Sequence, residues 1–214
     1  MSYQNIPGRN VMRPIYELAL ANTRPNGVWV EVGVALGRGI AEMARILIDA
    51  KRHDVKLFAV DPWGGYARNG EQAAWAEAEG GDWALFLKHM QANAPEELRR
   101  IHVIRADSVA ASMALRDPLD LVILDADHTE HAVTEDIGAW LPLVRPGGII
   151  GGDDHSEQHF PGVRKACEKF FGPAPAGYSV DDNNAHKWPV WWHVVDGRKP
   201  VHGPGGVVGY TVPR

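Results

Sequence analysis

The amino-acid sequence predicts an α/β fold: a doubly wound, mostly parallel sheet of seven strands whose C-terminal pair is an antiparallel hairpin. Three observations predict it. Apolar runs bounded by turn residues alternate with segments of helical period, and strands that alternate with helices build a parallel sheet covered on both faces. Four of the five central runs end in Asp. Near the C-terminus, "YSVDDNNAHKWPVWWHVVDG" gives two short β-like runs joined by a polar turn.

The elements follow in order. Residues 1–27 read as an N-terminal helical segment, with a helix from Met12 to Asn22 ahead of the sheet. The first strand spans Val28 to Gly33, and "RGIAEMARILIDAKR" then sets Ile40, Met43, Ala44, Leu47 and Ile48 on one stripe, the spacing of an amphipathic helix. The second strand runs from Val55 to Asp61. Pro62 to Gly81 has glycines at both ends, two tryptophans and no clear period until Gln72, which predicts a lid or substrate loop. "DWALFLKHMQANA" is the next helix, Ile101 to Asp107 the third strand, and a helix through Ser112 and Leu115 follows. The fourth strand, Leu119 to Asp125, leads into the helical "TEHAVTEDIGAWLPLV", and the fifth spans Gly148 to Asp153. "PGVRKACEKFFG" opens with Pro161 and stops at Gly172, the usual asymmetry of helix ends. The tail "GPGGVVGYTVPR" predicts one more edge strand or an arm onto a partner chain, which makes a homodimer a candidate assembly.

Composition narrows the function. At 214 residues the chain suits one domain spanning 1–214. Hydrophobic residues at 45% and charged residues at 23% exclude a mainly disordered chain. A net charge of -5 argues against a nucleic-acid partner, because phosphate-backbone binders carry a clustered Lys/Arg surplus. Cys167 is the lone cysteine, so an internal disulfide and a cysteine-based zinc cage are excluded and a cytoplasmic location is expected. No run resembles a signal segment or approaches the roughly 18 apolar residues of a membrane span.

The chemistry-bearing residues sit at the strand ends. "EVGVALGRG" runs a strand into Gly33, Gly37 and Gly39 and then a helix, whose free N-terminal amides suit an anionic group. Its G-x-x-x-G-x-G spacing departs from the G-x-G-x-x-G of nicotinamide-binding dehydrogenases, and an ordinary tight turn is the competing reading. Asp61 ends the next strand, where a carboxylate can accept from two ribose hydroxyls; it can equally cap the turn before Pro62. Asp107 and Ser108 lie on the far rim, where an adenine amino group would sit, and Asp107 is also a candidate helix N-cap. Asp125 and Asp153 finish neighbouring strands, so with Asp154 they bring three carboxylates to one edge. Such carboxylates repel strongly in a partly buried site unless a cation joins them. Oxygen donors favour Mg²⁺, with Mn²⁺ or Ca²⁺ possible, and a histidine ligand from His128 or His155 would move the preference toward a transition metal. The competing reading leaves Asp127, Asp153 and Asp154 as solvated helix caps. His131, His159, His186 and His202 read as surface residues, and Trp63 and Trp75 either cover a ligand or pack.

Taken together, "VEVGVALGRG", "FAVDPW", "IRADS", "LDLVILDADH", "LVRPGGIIGGDDH" and "KWPVWWHVV" resemble the class I S-adenosylmethionine-dependent methyltransferases over roughly Trp29 to Val195. "LDADH" paired with "GGDDH" is similar to the branch of macrocin-type sugar O-methyltransferases, many of them magnesium-dependent. The resemblance implies that Glu31 and Gly33 face the methionine part of the cofactor and Gly37 lines the turn beneath it. It implies that Asp61 holds the ribose, Asp107 and Ser108 neighbour the adenine, and Trp63 and Asp125 border the cofactor. Asp125, Asp153 and Asp154 would coordinate Mg²⁺ or Mn²⁺, and Asp127 or His128 would be the general base. The expected reaction is O-methylation of a small polyol, sugar or catechol-like acceptor. A nicotinamide-dependent oxidoreductase and a non-catalytic nucleoside-binding protein are the alternatives. The chain departs from the sugar enzymes in the histidine after each acidic pair and in its short N-terminal region.

Overall fold

The computed structural model describes residues 2–64, 77–156, 158–172, 178–179, 190–196, 200–202 and 208–210. Strands β1 (Val28–Val32), β2 (Lys56–Val60), β3 (Ile101–Ile104), β4 (Leu119–Leu124) and β5 (Val144–Gly152) pair in parallel. β6 (Tyr178–Ser179) and β7 (Val190–Val194) complete a seven-stranded sheet of order β3-β2-β1-β4-β5-β7-β6. β7 runs antiparallel to both β5 and β6. Every residue of β1 and β4 is buried, which is why these strands read as near-continuous apolar runs.

The helices divide between the two faces. α1 (Arg13–Asn22), α2 (Arg38–Asp49), α3 (Asp82–Asn93) and the short α4 (Pro95–Leu98) cover one side, where Trp29, Leu57, Leu121 and Ile149 join Ile40, Leu47 and Phe86 in one cluster. α5 (Ser108–Ala114), α6 (Glu130–Trp140) and α7 (Pro161–Phe171) cover the other, around Val30, Val122, Ile137, Trp140 and Phe170. The topology reverses between β1 and β4, and the crevice beyond the carboxyl ends of strands at such a point is where ligands bind in open α/β sheets.

The differences from the sequence reading are local. The strands stop short of their terminal acids, so Asp61, Asp107, Asp125 and Asp153 stand in the loops beyond the sheet. The helix expected to reach Val144 ends at Trp140, and a 3-10 turn (Leu141–Leu143) leads straight into β5. β5 therefore includes the Pro146-Gly147-Gly148 stretch, with a register shift between Leu119 and Leu121. Glycine is needed there, since a Cβ on Gly148 would meet the Leu119 carbonyl at 2.8 Å. The tail forms a separate two-stranded ribbon, β8 (Pro200–His202) with β9 (Val208–Tyr210), in place of one added edge strand. Residues 65–76 of the expected lid and 180–189 of the hairpin connection lie outside the described residues. No helix among the described residues is long and apolar enough to cross a membrane.

Candidate active site

The glycine turn after β1 forms the floor of a cavity of about 490 Å³, lined by Glu31, Gly33, Val34, Gly39 and Asp125. Gly33 has φ +86°, and a Cβ there would meet the Asp125 carbonyl at 2.2 Å, so β1 and β4 can approach this closely only through a glycine. Gly37 caps α2 in the left-handed region at φ 98°. Glu31 is 2% exposed. Its carboxylate reaches Gly39, where a Cβ would lie 2.0 Å from Oε1, and the Ile40 amide donates to it. Oε2 is buried without a hydrogen-bond partner. Burial first, then the charges of Asp125 and Asp61, hold its pKa well above the usual range.

One wall of this cavity comes from residues that sequence reasoning missed. Pro7, Gly8, Arg9, Asn10 and Met12 line it. Arg38 Nη1 donates to the carbonyls of Gln4 and Ile6, and Asn10 Nδ2 donates to Glu42 at 3.0 Å, which together strap the N-terminal segment over α2. The stretch has no apolar period, so pattern reading had no signal for it. The polar run "GRN" ahead of the first helix was the available hint.

A second cavity of about 290 Å³ opens beyond β2, β3 and β4 and is lined by Pro62, Gly64, Asp107, Ser108, Asp127 and Asp136 among others. Asp107 caps α5, accepting from the Ala110 amide at 2.9 Å, and also lines this cavity. Ser108 Oγ accepts from the Trp140 indole at 2.9 Å. Asp136 was also missed. It stands on the apolar stripe of α6 with Val133, Ile137 and Trp140, and its pKa is raised to about 6 by burial against the opposing Ser108 hydrogen bond. A carboxylate inside a buried stripe was the sequence signal. Asp127 Oδ1 accepts from the Thr129 amide at 2.7 Å, and the residue is exposed on this second cavity rather than on the first.

Two residues expected at the cofactor, Asp61 and Trp63, have well-defined protein partners. Asp61 is 1% exposed. Its Oδ2 accepts from the Val34 and Ala35 amides, both at 2.9 Å, and its Oδ1 accepts from Trp63 N at 2.6 Å. The carboxylate thus holds the glycine turn, with Ala35 (φ 48°) and Trp63 (φ 45°) in the left-handed region on either side. Trp63 packs its indole 4.9 Å from Trp83 and 4.8 Å from Phe86, donates to the Ala35 carbonyl at 2.9 Å, and lines neither cavity.

The acidic edge also differs from the expected triad. One ligand atom each from Asp125, His128 and Asp154 lie within 4.8 Å of one another. His128 Nε2 stands 3.4 Å from Asp125 Oδ1, and Nδ1 stands 3.2 Å from Asp154 Oδ2. Asp153 is not in this group. Its Oδ1 accepts from the Asp154 amide at 2.8 Å and its Oδ2 faces Arg9 at 4.0 Å. The reason is the backbone: Asp154 takes a left-handed φ of 60°, which splits the two adjacent carboxylates between neighbours. Burial, then Asp125 and Asp154, push the Asp153 pKa up to about 7. Burial acts to lower the His128 pKa, but the hydrogen bond and charge of Asp125 and the charge of Asp154 leave it raised. His131 and His159 are exposed, as expected.

Two cavities flanking a glycine turn at the sheet's reversal point, with an acidic floor under the first, suit a cofactor that is nucleoside at one end and cationic at the other. The orphaned Glu31 oxygen fits the ammonium and sulfonium of S-adenosylmethionine, and the fold is that of the class I methyltransferases that use it. The chain belongs to the methyltransferase domain family, whose model matches residues 30–155, and it is an S-adenosylmethionine-dependent methyltransferase.

Solved structures agree on the fold. CalS11, described as a TDP-rhamnose 3'-O-methyltransferase of calicheamicin biosynthesis, is 17% identical with TM-scores of 0.55 and 0.61 in two structures, covering 84% of this chain and 76% of its own. The O-methyltransferase NovP is 18% identical with a TM-score of 0.56, over 86% and 79%. An rRNA methylase from Streptococcus thermophilus is 11% identical with a TM-score of 0.55, over 87% and 98%. Identities this low speak for the fold alone. Among curated proteins none matches the chain. The family membership sets aside the nicotinamide reading.

Proposed function

We propose that this chain is an O-methyltransferase, acting as one domain, that moves the methyl group of S-adenosylmethionine to a hydroxyl of a small polyol, sugar or catechol-like acceptor. The observation that carries the reading is Asp125, which lines the first cavity and also touches His128. The residue that borders the cofactor thereby ties the methyl donor to a proton acceptor. CalS11 and NovP, both O-methyltransferases by their descriptions, lend support to a hydroxyl acceptor.

In this reading the methionine end lies over Glu31 and Gly33 and the adenine enters the second cavity beside Asp107 and Ser108. Burial of the sulfonium against anionic walls is favoured because each carboxylate there lacks full solvation. His128 is held between Asp125 and Asp154 and takes the acceptor's proton. The acceptor oxygen attacks the methyl carbon in line, the carbon–sulfur bond breaks, and its electron pair returns to sulfur to give S-adenosylhomocysteine. The proton then leaves His128 for water. Asp127 is the weaker candidate, since its carboxylate faces the second cavity.

A second reading of the same three side chains is favoured by their spacing: Asp125, His128 and Asp154 can hold a divalent ion, Mg²⁺ or, given the imidazole donor, Mn²⁺. Such an ion would lower the acceptor hydroxyl's pKa. Methyl transfer from labelled S-adenosylmethionine to a panel of catechols, free sugars and nucleotide sugars, with and without chelator, tests both readings. Product from a hydroxyl acceptor is expected. Inertness toward every hydroxyl alongside methylation of an RNA or an amine would overturn the proposal.

A further inference from the structure

We infer that Phe160, at the amino end of α7, is a positioning residue that fixes the plane of the His128 imidazole for proton transfer. This rests on the reading of His128 as the proton acceptor and deepens it. An imidazole takes a hydroxyl proton only while a ring nitrogen faces the acceptor oxygen, and rotation of the ring about its Cβ–Cγ bond is soft, so something has to restrain it. Asp125 Oδ1, 3.4 Å from Nε2, and Asp154 Oδ2, 3.2 Å from Nδ1, do part of this. A carboxylate accepts from any ring N–H brought to it, so the acids alone do not define the plane of the ring.

Phe160 supplies the missing wall. Its ring centroid lies 4.9 Å from that of His128 with the planes at 69°, the edge-to-face arrangement that aromatic pairs favour. The backbone holds it there. Gly162 brings the first turn of α7 against the entry to α6, where a Cβ would meet the Glu130 nitrogen at 2.5 Å and the His128 carbonyl at 2.7 Å, so glycine is required for the approach. Phe160 N donates to the Ser156 carbonyl at 3.2 Å, and Ser156 N donates to the Asp154 carbonyl at 2.7 Å, which ties the ring to the loop that carries Asp154. Phe160 is half-buried, packed against the core cluster of its own face, so the ring is supported from behind. One loop thus brings both an acid and an apolar wall to the imidazole.

Turnover, ligand affinity and a spectroscopic signal together separate positioning from a structural role. Phe160→Leu keeps apolar bulk and loses the ring, whereas Phe160→Tyr keeps the ring. Both are compared with the wild-type protein in methyl transfer from labelled S-adenosylmethionine to the catechols, free sugars and nucleotide sugars named above, and in calorimetric titration with S-adenosylhomocysteine. The carbon–proton spectrum of the histidine rings is recorded alongside, His128 being the signal that His128→Asn removes. Phe160→Leu is expected to lower kcat about 2–10-fold, the scale of one aromatic pair, with KM for the acceptor and S-adenosylhomocysteine affinity unchanged. It is also expected to move the His128 signal by removing the ring-current displacement, and Phe160→Tyr to restore both kcat and signal. Unchanged kcat in Phe160→Leu, equal losses in the two variants, or a loss of kcat matched by a loss of S-adenosylhomocysteine affinity would overturn the assignment. Turnover insensitive to His128→Asn would instead undo the reading of His128 beneath it.

Discussion

His128 Nε2 lies 3.4 Å from Oδ1 of Asp125, a residue that also lines the cavity floored by Glu31. The two elements that make this contact are the end of β4 and the loop entering α6, so the proposed proton acceptor and the cavity wall are three residues apart. The raised His128 pKa sets the sign of the pH dependence. Turnover rises with pH as the imidazolium gives up its proton, with a midpoint above the ordinary 6.5. His128→Asn should lower turnover by about 10²–10⁴-fold and remove that limb while S-adenosylhomocysteine affinity stays within a few-fold. A pH–rate series of the two proteins checks it.

Glu31→Gln tests the acidic floor. The carboxyl is buried and its pKa is raised, so its ionised form burdens the empty fold. The neutral amide should raise the melting temperature of the cofactor-free protein at pH 7 and weaken S-adenosylmethionine by tenfold or more. A variant that melts lower and binds unchanged would show that the carboxylate serves the fold alone.

Asp136 has a defined pH signature. Its folded pKa of about 6 exceeds the ordinary 3.8, so the folded state prefers the proton, and stability falls as pH rises through that window and stays low above it. Asp136→Asn should therefore stabilise the protein at pH 8, by about 3 kcal/mol at most, and have little effect at pH 4. Denaturant midpoints at the two values measure the difference.

Asp120 carries the opposite expectation. Its buried carboxylate takes Arg24 Nη2 at 3.0 Å, Arg145 Nε at 2.6 Å and the Val28 amide at 3.1 Å. Asp120→Ala removes the shared acceptor of two guanidinium groups and of the Arg24 and Val28 amides at the amino end of β4 and should cost about 3–5 kcal/mol, read from urea unfolding. Cofactor affinity per folded molecule should be unchanged.

Much of the fold was legible because the buried parallel strands are continuous apolar runs and the helices keep a 3.6-residue stripe. The glycine turn and the acids beyond the strands were legible for the same reason: strand ends locate them. What the sequence concealed was direction. Adjacent Asp153 and Asp154 read as a pair of ligands, yet the left-handed φ of Asp154 sends them to different partners. Asp61 ends a strand at the expected height, but three backbone amides claim its oxygens. The strap bearing Arg9 is placed by Arg38 and Glu42 from α2, contacts over thirty residues distant that no local pattern encodes.

The most direct measurement is a crystal structure with S-adenosylhomocysteine bound. Adenine is expected in the cavity beside Asp107 and Asp136, with the amino-acid end over Glu31 and the sulfur turned toward Asp125 and His128. A ligand bound the other way round, or a sulfur facing away from His128, would contradict this account.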